Sequence, residues 1–423
     1  MTNALDTPPT RKKTQGIGVS ALVVFYVSSI VGTGILLVPG LTEAQAGPAA
    51  LLAWVALALA SYPFARFFAE VSARNPHASG LGSVVAGGFG PRHGRSASLL
   101  LLTTYAVGNP VMGVVSAGSL LHLLGVPDAP DTLLYAVAGG FMLLSTGFTL
   151  LGVATGARIQ AASLVVLLAG LGAAVVLAVP HMEAGSYTPF LAAGWGSVGT
   201  AVVIAFFSFL GWENVSTLAD QVEDPARSYR RAIRYAVPVV GLLYVCVTAA
   251  YLAVPGDDPL VITALLGASL GGSGVAVGDL LALGLSLIAT NAWVLGASRL
   301  LGSASRDGLL PRSVTARPGR PPAVLGGAYL VVLGALAATG AGVELALITT
   351  SACFLLLYVV AAAAALRAPD AAPALRVTAK VTLLISAGFL AFAGTGLAIA
   401  AALALGCHLA AHSNSQNRKA LER

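Results

Sequence analysis

The chain has 423 residues, of which 57% are hydrophobic and 9% charged, with a formal net charge of +6. Soluble domains carry roughly a quarter charged residues, so this composition excludes a water-covered surface. At ~20 residues per span it suffices for roughly twelve membrane-crossing helices and leaves no room for a large extramembrane domain.

In chain order, residues 1–15 form a basic tail with Arg11, Lys12 and Lys13. The apolar run from Gly16 lacks a small-residue cleavage site and is expected to be a retained first span. Low-charge windows bounded by charged, Gly or Pro clusters place spans at 17–41, 49–72, 96–124, 132–151, 158–180 and 197–219. Further spans are expected at 233–255, 275–302, 322–340, 343–366, 374–393 and 396–412. With the N-terminus in the cytoplasm, all 23 Lys and Arg residues fall on the cytoplasmic side, among them Arg66, Arg74, Arg92, Arg95, Arg227, Arg230, Arg231, Arg234, Arg299 and Arg320. The opposite loops carry Asp128, Asp131, Glu183, Asp257 and Asp258. Basic residues are retained inside during insertion, so this partition implies an integral multi-pass protein of the plasma (inner) membrane with both termini cytoplasmic. The basic charge is therefore a topology signal, and a nucleic-acid partner is not expected, because the residues are scattered over seven short segments.

Cys246, Cys353 and Cys407 lie far apart in apolar runs and indicate neither a metal nor a disulfide framework. His77 and His93 stand among Gly and Pro with too little support for a metal, and His122, His181, His408 and His412 lie near span ends. There is no Gly-rich phosphate loop, Ser-His-Asp set or paired carboxylate, so neither an enzyme nor a bound cofactor is expected.

The informative residues lie in the first and sixth spans. The first contains Ser28-Ser29-Ile30-Val31-Gly32-Thr33-Gly34-Ile35. A helix interrupted at Gly32 and Gly34 would aim free N–H groups at an anion; a close-packing small-residue face is the alternative. The sixth contains Phe206-Phe207-Ser208-Phe209-Leu210-Gly211-Trp212-Glu213-Asn214, where a Gly again interrupts an apolar run beside an ionisable side chain. Charge at that depth is costly and functional as a rule. For Glu213 two readings stand side by side: a proton-coupling carboxyl, or a carboxylate that holds the broken helix by hydrogen bonds. Spans one and six correspond in two five-helix halves, the pattern of an inverted-repeat transporter with a midplane site.

With these residues, Ser298-Arg299, Arg306-Asp307-Gly308-Leu309-Leu310-Pro311, Asn75-Pro76-His77-Ala78-Ser79-Gly80-Leu81-Gly82 and Gly88-Phe89-Gly90, the sequence resembles the amino acid-polyamine-organocation permeases over most of its length. Its opening Gln15-Gly16-Ile17-Gly18, short tails and compact length look most like the branch that exports methionine and branched-chain amino acids. The resemblance implies an all-α polytopic membrane protein with a LeuT-like core. That core is two inverted five-helix repeats, 16–185 and 186–366, followed by peripheral helices over 367–412 and a tail at 413–423. It places an amino acid between broken spans one and six. The N–H groups of Gly32, Thr33, Gly34 and Ile35 would take its carboxylate, and carbonyls around Phe206, Phe207 and Leu210 its ammonium. Side-chain selection would fall to Ser29, Ile30, Phe207, Leu210, Tyr105, Asn109 and Trp293, the last three matching pocket positions of the arginine/agmatine antiporter branch. For Trp293 a packing or lipid-facing indole is the alternative.

Apart from Glu213, no ionisable residue stands near the middle of a span at the expected pocket, so a charged substrate side chain would be buried without a counter-ion. Neutral aliphatic or thioether amino acids are expected. The fifth span carries no Lys or Arg after Arg158, and Thr290 and Asn291 do not supply the paired hydroxyls of a sodium site, which points to the proton as coupling ion. A proton-coupled exporter is the expectation and an uptake permease or exchanger the alternative. Oligomeric state is not legible, because small-residue faces occur on several spans.

Overall fold

The structure is a computed structural model that describes residues 17–421 except 75–79, 152–156, 215–221, 223, 257, 307, 308, 318, 369 and 370. The basic N-terminal tail, the Asn75–Ser79 segment and the Asp307-Gly308 pair of the sequence motifs lie outside these residues. Every regular element described is helical; a single parallel main-chain bridge joins Ile17 to Val222.

The first span is two helices, α1 (Val19–Ile30) and α2 (Gly34–Ala46). After a turn at Gly47–Ala49 the chain returns as α3 (Ala50–Arg74). A short helix α4 (Leu81–Phe89) precedes α5 (Pro91–Gly108) and α6 (Pro110–Leu123), which make up the third span with a kink at Asn109. Then come α7 (Asp131–Leu150), α8 (Ala157–Ala178) and α9 (Gly194–Phe206), the last ending in a tight turn at Phe207–Phe209. The second half contains α10 (Pro225–Ala253), a short α11 (Val261–Leu270), α12 (Gly272–Arg306), α13 (Arg320–Thr339), α14 (Val343–Arg367), α15 (Pro373–Leu390) and α16 (Gly394–Leu421).

Eleven continuous helical stretches among the described residues are long and apolar enough to cross a membrane. One of them, Gly34–Arg74, holds both the second half of the first expected span and the whole second span, so with α1 it accounts for all twelve expected spans. The non-spanning helices α4 and α11 were not anticipated, and α16 runs nine residues past the expected end of the last span.

Local chemistry explains the boundaries. Pro sits in the first turn of α5, α6, α10 and α15, where its missing N–H costs nothing. Asp224 caps α10 by accepting the Arg227 N–H at 3.4 Å. Gly88 lets α4 lie directly on α14, since a side chain there would collide with the Ala364 backbone.

Packing places the interrupted elements at the centre. α1 lies on α10 and α2 on α9, while α3 packs along α10 and α9, and α14 touches α9. A second group, α6, α7, α12 and α13, packs among itself. Trp54, Phe64, Phe206, Phe209, Trp212, Tyr244 and Tyr358 are fully buried where the first group converges.

Candidate functional site

Both expected interruptions are present and are built alike. In each, a helix ends on an extended residue followed by a glycine: Val31 (φ −76, ψ 95) before Gly32, and Leu210 (φ −69, ψ 142) before Gly211. Gly211 has φ +127, a conformation open mainly to glycine, and a Cβ there would sit 2.6 Å from the Ser29 carbonyl oxygen. A Cβ on Gly34 would lie 2.8 Å from the Ser208 hydroxyl oxygen. The two breaks are therefore in direct contact, and Gly34 and Gly211 are the close-approach glycines. Gly32 differs: nothing lies within 4 Å of the position its Cβ would take, so it faces open space.

Hydrogen bonds at the first break run from Val31 N–H to Val27 O (2.8 Å), Ile35 N–H to Gly32 O (3.3 Å) and Leu36 N–H to Thr33 O (3.0 Å). The Gly32 N–H points at the Tyr244 hydroxyl oxygen, while among the described residues the N–H groups of Thr33 and Gly34 have no partner. They lie at the N-terminal, electropositive end of α2. The Ile35 N–H, expected to be free, is taken up by Gly32. The Thr33 hydroxyl donates to the Met112 sulfur. At the second break Leu210 N–H bonds Phe207 O (3.3 Å) and Asn214 N–H bonds Gly211 O (3.1 Å).

Two tyrosines that sequence reasoning missed hold the breaks. The Tyr244 hydroxyl on α10 donates to the carbonyls of Ile30 (2.9 Å) and Ser208 (2.8 Å), one from each interrupted helix. Its ring lies 5.2 Å from Trp54 and 4.8 Å from Phe209, centroid to centroid. The Tyr358 hydroxyl on α14 donates to Glu213 Oε2 at 2.6 Å, and Gly211 N–H donates to the same oxygen at 3.1 Å. Glu213 is 6% exposed, so its carboxylate is inside the protein and bound to the helix break itself. A tyrosine in an apolar run reads as a packing residue; its hydroxyl acquires a role only when the facing carbonyl is known.

The aromatic residues converge as well. Phe207 stacks on Trp293 with centroids 6.0 Å apart, and Tyr105 meets Trp293 edge-on at 5.2 Å and Phe354 at 6.2 Å. Ser29, Gly32, Tyr105 and Trp293 keep partial exposure, while Phe207 and Leu210 are buried. Other expected residues point elsewhere. The Phe206 ring packs against Phe64 and Tyr358, and the Ile30 side chain abuts Gly211. Asn109 is fully buried beside the Tyr329 hydroxyl of α13, and neither amide atom has a hydrogen bond of good geometry. Thr290 bonds the Ser286 carbonyl (2.7 Å) and Asn291 the Ser145 carbonyl (3.2 Å), so both are committed to helix packing. No cluster of three His, Cys, Asp or Glu able to hold a metal occurs among the described residues.

This geometry can be set beside known proteins. The family profile "Amino acid permease" matches residues 17–414. The chain belongs to the amino acid permease family. The permease is 27% identical over 327 residues to the branched-chain amino acid permease BcaP of Bacillus subtilis, covering 71% of this chain and 69% of that one. It is 29% identical over 237 residues to the L-methionine/branched-chain amino acid exporter YjeH of Escherichia coli, 54% of each chain. An uncharacterized transporter of Mycobacterium tuberculosis is 30% identical over 377 residues, 83% of this permease and 79% of that protein. The permease is thus a multi-pass membrane transport protein for amino acids and not an enzyme.

Proposed function

We propose that this permease is a secondary active transporter of neutral amino acids, methionine and the branched-chain set, working by alternating access at the contact between the two interrupted helices. The observation that carries the reading is the pair of unpaired N–H donors at Thr33 and Gly34, beside open space at Gly32. A substrate carboxylate accepts from such a helix start, and the carbonyls of Phe206, Phe207 and Leu210 across the break take the ammonium. Phe207, Trp293 and Tyr105 form an apolar wall for the substrate side chain, with no charged residue among them. The proposal includes two inverted five-helix repeats over 16–185 and 186–366, peripheral helices over 367–412, a plasma-membrane location and cytoplasmic termini at 1–15 and 413–423.

Proton-coupled export is the reading of direction and driving force, with Glu213 as the carboxyl that titrates. Uptake or exchange through the same site is the second reading, since alternating access runs either way under different gradients. Counterflow of labelled methionine, leucine and lysine in proteoliposomes, under an imposed pH or sodium gradient, tests substrate and coupling together. Methionine and leucine should exchange, lysine should not, and net flux should follow the pH gradient. Lysine exchange at the rate of leucine would overturn the substrate assignment.

A further inference from the structure

On the outer surface, away from the interrupted helices, α3 and α10 enclose a groove of about 630 Å³. Its origin is local. Ala58 and Gly241 let the two helices approach closely, a Cβ at Gly241 coming 3.0 Å from that of Ala58. The larger neighbours Leu59, Tyr62 and Leu242 then stand out as walls, and they are 72%, 53% and 66% exposed. Pro238, in the middle of α10, lines the floor. In a chain that spans the membrane, such a face meets hydrocarbon.

The groove has direction. The helices are antiparallel, since Ala58 meets Gly241 and Glu70 lies 4.0 Å from Arg230. At 1.5 Å per residue the lining from Arg234 to Val245 runs about 16 Å, close to half of the ~30 Å hydrocarbon core. It is one leaflet long. Its end is charged: Arg234 lines it, is exposed, and has no ion-pair partner among the described residues. Arg227, Arg230 and Arg231 lie within two turns, all exposed. The nearby carboxylate of Glu70 is engaged at 2.6 Å by Arg66, leaving Arg230 only a 4.0 Å contact. The exposed phenol of Tyr62 lines the groove too.

We propose that this groove is a binding site for an anionic phospholipid, one acyl chain lying along Leu59, Gly241 and Leu242 and the phosphodiester headgroup held by the Arg234 guanidinium. The apolar floor takes any acyl chain; the unpaired guanidinium selects the anionic headgroup.

The test uses the full chain in phosphatidylcholine nanodiscs doped with a trace of phosphatidylglycerol or phosphatidylcholine carrying a photoactivatable acyl chain, with adducts mapped by mass spectrometry. Phosphatidylglycerol adducts should fall on 55–62 and 237–245 and exceed those of phosphatidylcholine by about fivefold. Arg234→Gln should bring the two lipids level, and Arg234→Lys should keep most of the preference. Gly241→Leu, which fills the floor, should remove adducts of both lipids from these segments; a variant unfolded in size-exclusion chromatography is replaced by Ala58→Leu. Equal labelling by the two lipids in the parent, or an unchanged preference in Arg234→Gln, would overturn the proposal. So would disulfide formation between single cysteines placed at Leu59 on two copies, which would make the face a protein interface.

Discussion

Tyr244 and Glu213 carry most of the site's internal wiring through single atoms. Removing the Tyr244 hydroxyl strips the carbonyls of Ile30 and Ser208 of their donor while the ring keeps its contacts with Trp54 and Phe209. An unsatisfied buried carbonyl costs ~1–3 kcal/mol, so Tyr244→Phe should lower the thermal midpoint in detergent and cut counterflow at least tenfold. Parental exchange by this variant would show that the clasp is dispensable. Glu213→Gln preserves an oxygen to accept from Gly211 N–H and the Tyr358 hydroxyl but carries no titratable proton. Exchange should persist in it while net flux stops responding to the pH gradient; an unchanged pH dependence would remove Glu213 from coupling. Glu213 was legible in the sequence because an ionisable group in an apolar span declares itself. Tyr244 and Tyr358 were not, because their partners are more than thirty residues away in the chain and are main-chain or side-chain oxygens that only the fold brings near.

At the scale of the helix, the glycines of the two breaks divide into different kinds. Gly211→Ala meets both an unfavourable φ of +127 and the Ser29 oxygen at 2.6 Å. Strain of ~1–3 kcal/mol plus a backbone shift follows, and the variant should show a lowered thermal midpoint and reduced yield. Gly32→Val has room, so it should insert and melt as the parent does while occupying the space fronting the unpaired N–H groups; counterflow should be abolished. Near-normal flux in Gly32→Val would contradict the assigned carboxylate position. The first-span pattern Gly32-Thr33-Gly34 announced an interruption but could not say which glycine packs and which faces a void, because that depends on where Ser208 lands. Spans were legible for a related reason: a bilayer imposes a long apolar run on each. Helices α4 and α11 impose no such run, at nine and ten residues, and so escaped notice.

Across the whole molecule, charge is sorted by end. Arg66, Arg230 and Glu70 meet at one end, where Arg367 also lies over the Phe89 ring at 5.1 Å. The other end is acidic: His122 pairs with the buried Asp279 at 3.0 Å, Thr263 donates to the same carboxylate at 3.2 Å, and Asp258 accepts the Leu260 N–H at 2.8 Å. This network ties α6, α11 and α12 together, and only a His near a span end hinted at it beforehand. Burial pushes the Asp258 carboxyl above its ordinary range, opposed by the Leu260 N–H and by His122. The folded chain therefore holds this proton more tightly than the unfolded one, and ionisation of Asp258 weakens the fold as pH rises through the acidic range. Asp258→Asn keeps the acceptor for Leu260 and should melt no lower than the parent at neutral pH, its advantage closing on acidification. A variant that loses stability equally at every pH would refute that origin. The clasp at Tyr244 has a consequence on this scale as well. One phenolic hydrogen cannot serve two acceptors at full strength, so a shift of either interrupted helix that lengthens one of these bonds hands the hydrogen wholly to the other carbonyl. Movement at either break is thereby registered on α10, and through the Trp54 indole on α3, as a change of allegiance by a single proton donor.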